Sequence, residues 1–276
     1  MKKHNYIFDL YETLFDIRTD EGSRLLWTGM AQLYARCGAI YRSRQLQDAY
    51  LRMVDEEQRK LREESGLLYP EIDLTKVFRR LLLEAPKHTG QDIPSAKAVT
   101  GSVGASGSFS GSFADDPQWM YMIANAFRSM SMRRFGLYPD TLSTLRELKA
   151  RGNKVFLLSN AQSIFTRPEL AMTGIDQCFD AIYISSERGM KKPQPEFMKL
   201  LLDEQKLDPD DCMMVGNDTE SDVRVALASG VTGCLLNTYH LSDEEIDKRF
   251  DRLKQEYPGG KTEVIRSGKI RDLLDI

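Results

Sequence analysis

The sequence predicts an α/β protein: a doubly wound parallel sheet that carries a large helical insert. Three observations carry this expectation. From about Gly136 onward, short apolar runs alternate with amphipathic helical patterns, which is how a parallel sheet with crossover helices reads. Between about Ile17 and Phe135 the periodicity is helical, with charged outer faces and no strand alternation. Ahead of that insert stands one isolated strand-type run, Tyr6-Ile7-Phe8.

The opening strand ends in Asp9, at the start of the turn DLYETLFD. The insert then offers SRLLWTGMAQLYARCG, RQLQDAYLRMVDEEQRKLREE and LTKVFRRLLLEA as helices. The stretch TGSVGASGSFSGSFADD is so rich in Gly and Ser that its apolar surface does not offset the entropy of ordering it. A flexible loop at 99–116 is therefore expected, with Phe109 and Phe113 able to dock on a neighbouring surface. DDPQWMYMIANAFRSMSMRRF reads as a helix that buries Trp119, Met122, Ile123 and Phe127.

The second half repeats one unit. LSTLRELKARGN is a helix with Leu142, Leu145 and Leu148 on one side, closing at Gly152, and KVFLLSN is a buried strand ending in polar residues. AIYIS, CMMVGND and TGCLL are further strands, between which PEFMKLLLDEQ and SDVRVALASG are helices. The tail KTEVIRSGKIRDLLDI adds a last strand and a short helix. The expected division is a core of 1–16 and 136–276 and a helical domain of 17–135.

Composition excludes several classes. The 276 residues suffice for a substantial core without covalent staples, and a net charge of −3 supplies no basic field for nucleic acid or anionic membrane. Cys37, Cys178, Cys212 and Cys234 are scattered, with no CxxC and no clustered histidine, so neither a disulfide framework nor a zinc site is indicated. They read as reduced thiols of a cytoplasmic protein. The apolar run near the N-terminus is too short for a signal peptide, and no segment approaches the roughly 20 apolar residues of a membrane span.

Ligands of parallel sheets sit at the carboxyl ends of strands, which directs attention to Asp9, Ser159, Ser185, Asn217 and Asp218. Asp9 projects from a strand end. The Ser159 hydroxyl can donate to an oxygen of a transferring group. Lys192, held extended before Pro193, can neutralise a carboxylate and an incoming anion. Asp218, Glu220 and Asp222 follow a strand together with Asn217, and oxygen ligands without sulfur or imidazole suit Mg²⁺. Each of these alone has a plain reading as a loop start, a solvated charge or a helix cap; Asp222 is placed to serve as a cap.

In chain order, strand-Asp9, strand-Ser159, Lys192-Pro193 and strand-Gly216-Asn217-Asp218 with Asp222 resemble the four motifs of the haloacid dehalogenase-like superfamily. The resemblance covers roughly 1–16 and 136–240, and the insert falls where members with a C1-type helical cap carry theirs. It implies a Rossmann-like core with that cap closing over a small-molecule substrate. It also implies Asp9 as the nucleophile of a covalent aspartyl intermediate, Ser159 and Lys192 as catalytic partners, and Tyr11, Thr13 and Asn160 around the substrate. Mg²⁺ would be held by Asp9, the Tyr11 carbonyl, Asp222 and either Asn217 or Asp218. The spacing to Asp222 allows both, and Asp218 is preferred because an anionic ligand binds Mg²⁺ better than an amide.

The departures are as informative. Phosphatases of the superfamily place a second Asp two residues after the nucleophile to protonate the leaving oxygen; here that position is Tyr11, and Glu12 stands where relatives usually have Gly. General acid catalysis is worth ~10² to 10⁴ in rate, about 3 to 5 kcal/mol. Asp-x-Tyr-x-Thr-Leu resembles the L-2-haloacid dehalogenases, which need neither metal nor leaving-group acid. The leading expectation is a Mg²⁺-dependent phosphatase of a small phosphorylated metabolite, working through an aspartyl-phosphate. The alternatives are a metal-independent L-2-haloacid dehalogenase using the same Asp9 and a degenerate ligand-binding member with little turnover.

Overall fold

A computed structural model describes residues 4–86 and 113–276. The first strand, β1 (Asn5–Phe8), is followed by β2 (Phe15–Thr19) and by the helices α1 (Arg24–Arg36), α2 (Ser43–Ser65), α3 (Leu74–Leu83) and α4 (Pro117–Ser131). Then come β3 (Met132–Leu137), α5 (Thr141–Ala150), β4 (Lys154–Ser159), α6 (Ser163–Thr173), β5 (Ala181–Ile184), the short α7 (Ser185–Arg188) and α8 (Pro195–Gln205). The chain closes with β6 (Cys212–Gly216), α9 (Arg224–Ala228), β7 (Thr232–Leu236), α10 (Asp243–Glu256) and β8 (Thr262–Ile265).

Six strands form one sheet in the order β5-β4-β1-β6-β7-β8, every pair parallel. Because side chains alternate along a strand, and both faces of a parallel sheet are covered, nearly every residue of these strands must be apolar. Tyr6 and Phe8 join Val155, Leu157, Met213 and Val215 in the core on one face. Ile7 joins Phe156, Leu158 and Met214 on the other. The strand order reverses at β1, with β4 on one side and β6 on the other, so a crevice opens beyond the carboxyl ends of these three strands.

The chain divides into two compact units. The first comprises Met1–Thr19, Gln58–Asp73 and Arg133–Ile276; the second comprises Asp20–Glu57 and Leu74–Met132. Gln58–Asp73, a stretch inside the helical insert, groups with the sheet because its backbone is stitched there. Glu71 N–H donates to Gly189 O at 3.1 Å, and Lys191 N–H donates to Tyr69 O at 3.0 Å.

The second unit is built around aromatic rings. Phe127 lies 5.3 Å from Tyr50, 5.4 Å from Phe78 and 5.7 Å from Trp27, centroid to centroid. The buried phenols of Tyr34 and Tyr41 donate to Phe78 O and Leu81 O at 2.9 and 2.7 Å, so neither hydroxyl is left unsatisfied. α4 begins at Pro117 behind Asp116, whose carboxylate accepts from Gln118 N.

Two details differ from the sequence reading. Met122 is 47 % exposed, so the buried face of α4 runs through Trp119, Ile123, Ala124 and Phe127 instead. The helical pattern stops at Ser131, and Met132–Leu137 pairs with Phe15–Thr19 in a two-stranded ladder where a continuous helix was expected. An ion pair at 2.6 Å between Arg134 and Asp16 helps to fix that ladder. Most of the expected loop at 99–116 lies outside the described residues; Phe113–Asp115 forms a single 3₁₀ turn. Among the described residues no helix is long and apolar enough to cross a membrane.

Phe127 is the hub of the aromatic cluster, so Phe127→Ala should destabilise the helical unit by about 3 to 5 kcal/mol, read from the midpoint of chemical denaturation followed by tryptophan fluorescence.

Candidate active site

Asp9 is the first residue beyond β1, and its N–H donates to Val215 O at 2.9 Å, which aligns it with the end of β6. Its carboxylate is buried and held from two sides. Lys192 Nζ donates to Oδ1 at 2.6 Å, and Thr13 Oγ1 lies 3.1 Å from Oδ2. The same ammonium donates to Asp222 Oδ1 at 2.7 Å. A cation buried between two carboxylates is the centre of the site.

The loop before α8 places this lysine. The Lys192-Pro193 peptide is cis, and Asn160, just past β4, brackets the Lys192 backbone. Asn160 Oδ1 accepts from Lys192 N at 2.8 Å, and Asn160 Nδ2 donates to Lys192 O at 2.9 Å. The amide expected at the substrate is thus committed to holding the lysine. Burial pushes the Lys192 pKa down, but Asp222 and Asp9 outweigh it and hold the ammonium above its ordinary value. Burial pushes Asp222 up to about 6, with Asp9 adding to the rise and Lys192 opposing it.

Asp222 fits because Gly216 has no side chain. A Cβ there would stand 2.2 Å from Asp222 Oδ2. Between them, Thr219–Val223 forms a π-helical turn, one residue wider than an α-turn. Asp218 caps it, with its carboxylate oxygens accepting from Glu220 N at 3.0 Å and Ser221 Oγ at 2.8 Å. The residue brought to Thr13, and through it towards Asp9, is Asn217: its Oδ1 lies 3.0 Å from Thr13 Oγ1, and its N–H donates to that hydroxyl at 3.1 Å. Glu220 leaves the cluster for an ion pair with Arg224 at 2.7 Å.

Ser159, at the end of β4, is fully buried, and its Oγ has no hydrogen-bond partner among the described residues. An orphaned buried hydroxyl is uncommon enough to call for an explanation, and an oxygen of a bound substrate supplies one. Ser185, just past β5, is a brace: its Oγ accepts from Ala161 N at 2.8 Å and lies 3.1 Å from the partly buried Glu71 carboxylate. Burial raises the pKa of Glu71, opposed by Lys191 and the Ser185 hydroxyl.

The phenol of Tyr11 points into α6. It donates to Glu169 Oε2 at 2.5 Å and lies 2.9 Å from Thr166 Oγ1, so it is engaged with the protein and not with the reacting centre. Glu12 adopts φ 62°, the left-handed region that favours glycine, which accounts for the residue type usual there. Its carboxylate accepts from Tyr138 Oη at 3.3 Å, and its carbonyl accepts from Thr238 Oγ1 at 2.6 Å. Sequence reasoning passed over Thr238 and Glu71 because they belong to no motif; only the fold brings them to Glu12 and Ser185.

The oxygen donors that meet at the Thr13 hydroxyl are the Asp9 carboxylate and the Asn217 amide oxygen, while the Asp218 carboxylate is spent on capping the turn. No group of three or more His, Cys, Asp or Glu among the described residues forms a ready-made metal cage. A set of one carboxylate with neutral oxygens still fits Mg²⁺, which keeps several waters and takes substrate oxygens as ligands.

A family model described as haloacid dehalogenase-like hydrolase matches residues 5–230. A phosphoserine phosphatase of Thermus thermophilus is 33% identical over 115 residues, 42% of this chain and 46% of that protein. A glyceraldehyde 3-phosphate phosphatase of Methanothermobacter thermautotrophicus is 32% identical over 110 residues, 40% of this chain and 48% of that protein. The chain thus spans about half the length of the curated relatives it matches. Among solved structures, a 2-haloacid dehalogenase from Pseudomonas syringae pv. Tomato DC3000 superposes with TM-score 0.60 at 17% identity, over 100% of this chain and 97% of its own. A phosphatase from Thermococcus onnurineus superposes with TM-score 0.55 at 16% identity over the same shares. At such identities these two show the fold alone.

Two tests follow from this geometry. Gly216→Ala should displace Asp222 and with it Lys192, lowering the thermal midpoint, whereas alanine at exposed Gly22 should not. Glu71→Gln removes a carboxyl whose pKa is raised by folding. Such a group contributes stability that is present below its unfolded pKa and lost as pH rises through the folded one. The variant should therefore gain thermal stability relative to the parent between pH 4 and pH 8, measured by melting curves at both.

Proposed function

The chain belongs to the haloacid dehalogenase-like hydrolase family, and we propose that it is a Mg²⁺-dependent phosphatase of a small phosphorylated metabolite, with Asp9 as nucleophile. The observation that carries this reading is the buried Asp9 carboxylate, oriented by Lys192 and Thr13, with the unpartnered Ser159 hydroxyl at the end of the neighbouring strand β4. The phosphatases that align with 32 to 33% identity support phosphoryl chemistry over other hydrolysis. Free cysteines throughout the described chain agree with a cytoplasmic location.

Asp9 attacks phosphorus and the ester oxygen departs; water then cleaves the aspartyl-phosphate and restores the carboxylate. Lys192 orients the nucleophile in its buried place and offsets the charge of the phosphoryl group. Ser159 donates to a phosphoryl oxygen. When bound by Asp9, the Tyr11 carbonyl and Asn217 or Asp218, Mg²⁺ supplies further positive charge to the phosphoryl oxygens.

One observation favours the second reading, a 2-haloacid dehalogenase. A neutral Asn217 faces Thr13 where a carboxylate would hold metal best, and displacement of halide from carbon by Asp9 requires no metal.

Hydrolysis of p-nitrophenyl phosphate should require Mg²⁺, stop in EDTA and fall to background in Asp9→Asn. Halide release from 2-chloropropionate in EDTA, with no phosphate release under any condition, would instead establish dehalogenation.

A further inference from the structure

The phosphatase reading, on which this inference rests, asks the Lys192 ammonium to stand accurately against Asp9, since a misplacement of about 1 Å in such a site can cost ~10²-fold in rate. Lys192 sits at the end of a flexible four-carbon stem, so its aim depends on how the backbone beneath it is held. Asn160 grips that backbone from the end of β4. On the other side the chain runs through Pro193, which has no N–H to give, and Pro195 is the same. Gln194, between the two prolines, carries the one backbone donor of the three.

The loop enters along a short antiparallel ladder in which Pro70 faces Met190. Glu71 N–H donates to Gly189 O and Lys191 N–H to Tyr69 O, so Pro70 and Met190 are a pair without mutual bonds and the missing proline N–H costs nothing. The next pair of a regular ladder, Tyr69 with Lys191, would exchange both bonds, and Tyr69 N–H would return one to the Lys191 carbonyl. That carbonyl is turned away instead. It accepts from Gln194 N–H at 2.9 Å, which closes a turn around Lys192 and Pro193. Tyr69 N–H donates to Gln194 Oε1 at 3.1 Å, so the buried glutamine side chain takes the place of the carbonyl that its own N–H has drawn out of the ladder. Its Nε2 donates to the Glu196 carboxylate, which keeps the amide oxygen on the Tyr69 side. The stretch that supplies Tyr69 also grips the Asn160 arm, since Gln162 Nε2 donates to Ile72 O at 2.9 Å.

We propose that Gln194 is a positioning residue for the reaction: bonded to Tyr69, its side chain holds the turn that aims Lys192 at Asp9. It touches neither substrate nor nucleophile and acts through the lysine. Without its amide oxygen, the ladder with 69–71 ends at Lys191, one residue short of the ammonium that has to be placed.

The test uses Gln194→Met, which removes the acceptor at nearly constant size, and Gln194→Glu, which keeps an oxygen for Tyr69 N–H. Two quantities are measured on each: hydrogen exchange of the Lys192 backbone amide, followed by NMR, and kcat for p-nitrophenyl phosphate with Mg²⁺. In Gln194→Met the Lys192 amide should exchange about tenfold faster while the amide of Leu157, inside β4, keeps its rate. With the thermal midpoint unchanged, kcat should fall on the order of tenfold or more. Gln194→Glu should recover most of both losses. Unchanged exchange in Gln194→Met, or faster exchange with unchanged kcat, would overturn the assignment. Equal losses in the two variants with a lowered thermal midpoint would overturn it as well, because they describe a part of the fold and not a positioning bond. A parent that hydrolyses no phosphate ester defeats the phosphatase reading itself, and the exchange of the Lys192 amide then decides alone whether Gln194 holds the lysine.

Discussion

The Lys192 ammonium, sealed between Asp9 and Asp222, is the contact on which the rest of the site depends. An ammonium with almost no exposure survives only if its charge is matched nearby, and removing one partner of such an arrangement typically costs 3 to 5 kcal/mol. Several other features exist to keep it in place. Asn160 clamps its backbone from the end of β4, Gly216 clears room for Asp222 at the end of β6, and the Asp218 N–H steadies Asp222 Oδ2 at 3.1 Å. Three adjacent strand ends are thereby cross-linked through one residue, Lys192, and the orientation of Asp9 is a consequence.

The parts of this site that were legible in the sequence are those fixed by strand ends or by short motifs just beyond them. Asp9 and Ser159 follow apolar runs at points where a parallel sheet delivers side chains to the crevice, Lys192 stands before Pro193 and Asp222 in the acidic stretch after β6, and the structure gathers Asp9 and Asp222 around the Lys192 ammonium. What was not legible turns on single-residue geometry. Which of Asn217 and Asp218 faces Asp9 is decided by the wide turn at Thr219–Val223, where Asp218 O accepts from both Asp222 N and Val223 N. That turn absorbs the residue by which the two possible spacings differ, so composition alone favoured the carboxylate while backbone geometry delivered the amide.

The strand pair Phe15–Thr19 and Met132–Leu137 escaped for a related reason. Arg133 and Arg134 continue the polar side of the preceding helix in sequence, and nothing local marks Ser131 as its end. The ladder is specified by its partner strand more than one hundred residues earlier, and β structure of that kind is a tertiary effect. Thr238 and Glu71 illustrate the same limit: each reaches its partner, the Glu12 carbonyl or the Ser185 hydroxyl, from a segment whose own pattern describes only a loop.

Charge balance separates the two chemistries open to Asp9. Two carboxylates against one ammonium leave the buried cluster one negative charge in excess. A phosphate monoester arrives as a dianion. Two unit charges at about 4 Å interact by about 4 kcal/mol at the effective dielectric of a protein surface, so the approach is opposed by more than the single Ser159 hydroxyl offsets. A 2-haloacid brings a single negative charge, carried on its carboxylate and not on the carbon under attack, so it meets less of this opposition. Phosphoryl transfer at this Asp9 therefore requires further positive charge, whereas displacement of halide does not. The neutral Asn217 bears on both sides of that distinction. It contributes no negative charge to hold a divalent cation, and it adds none to the repulsion a phosphate must overcome. The electrostatics consequently tie the identity of the reaction to the cation requirement, and they do so through Asp9, Lys192 and Asp222 rather than through any residue that would contact the remainder of the substrate.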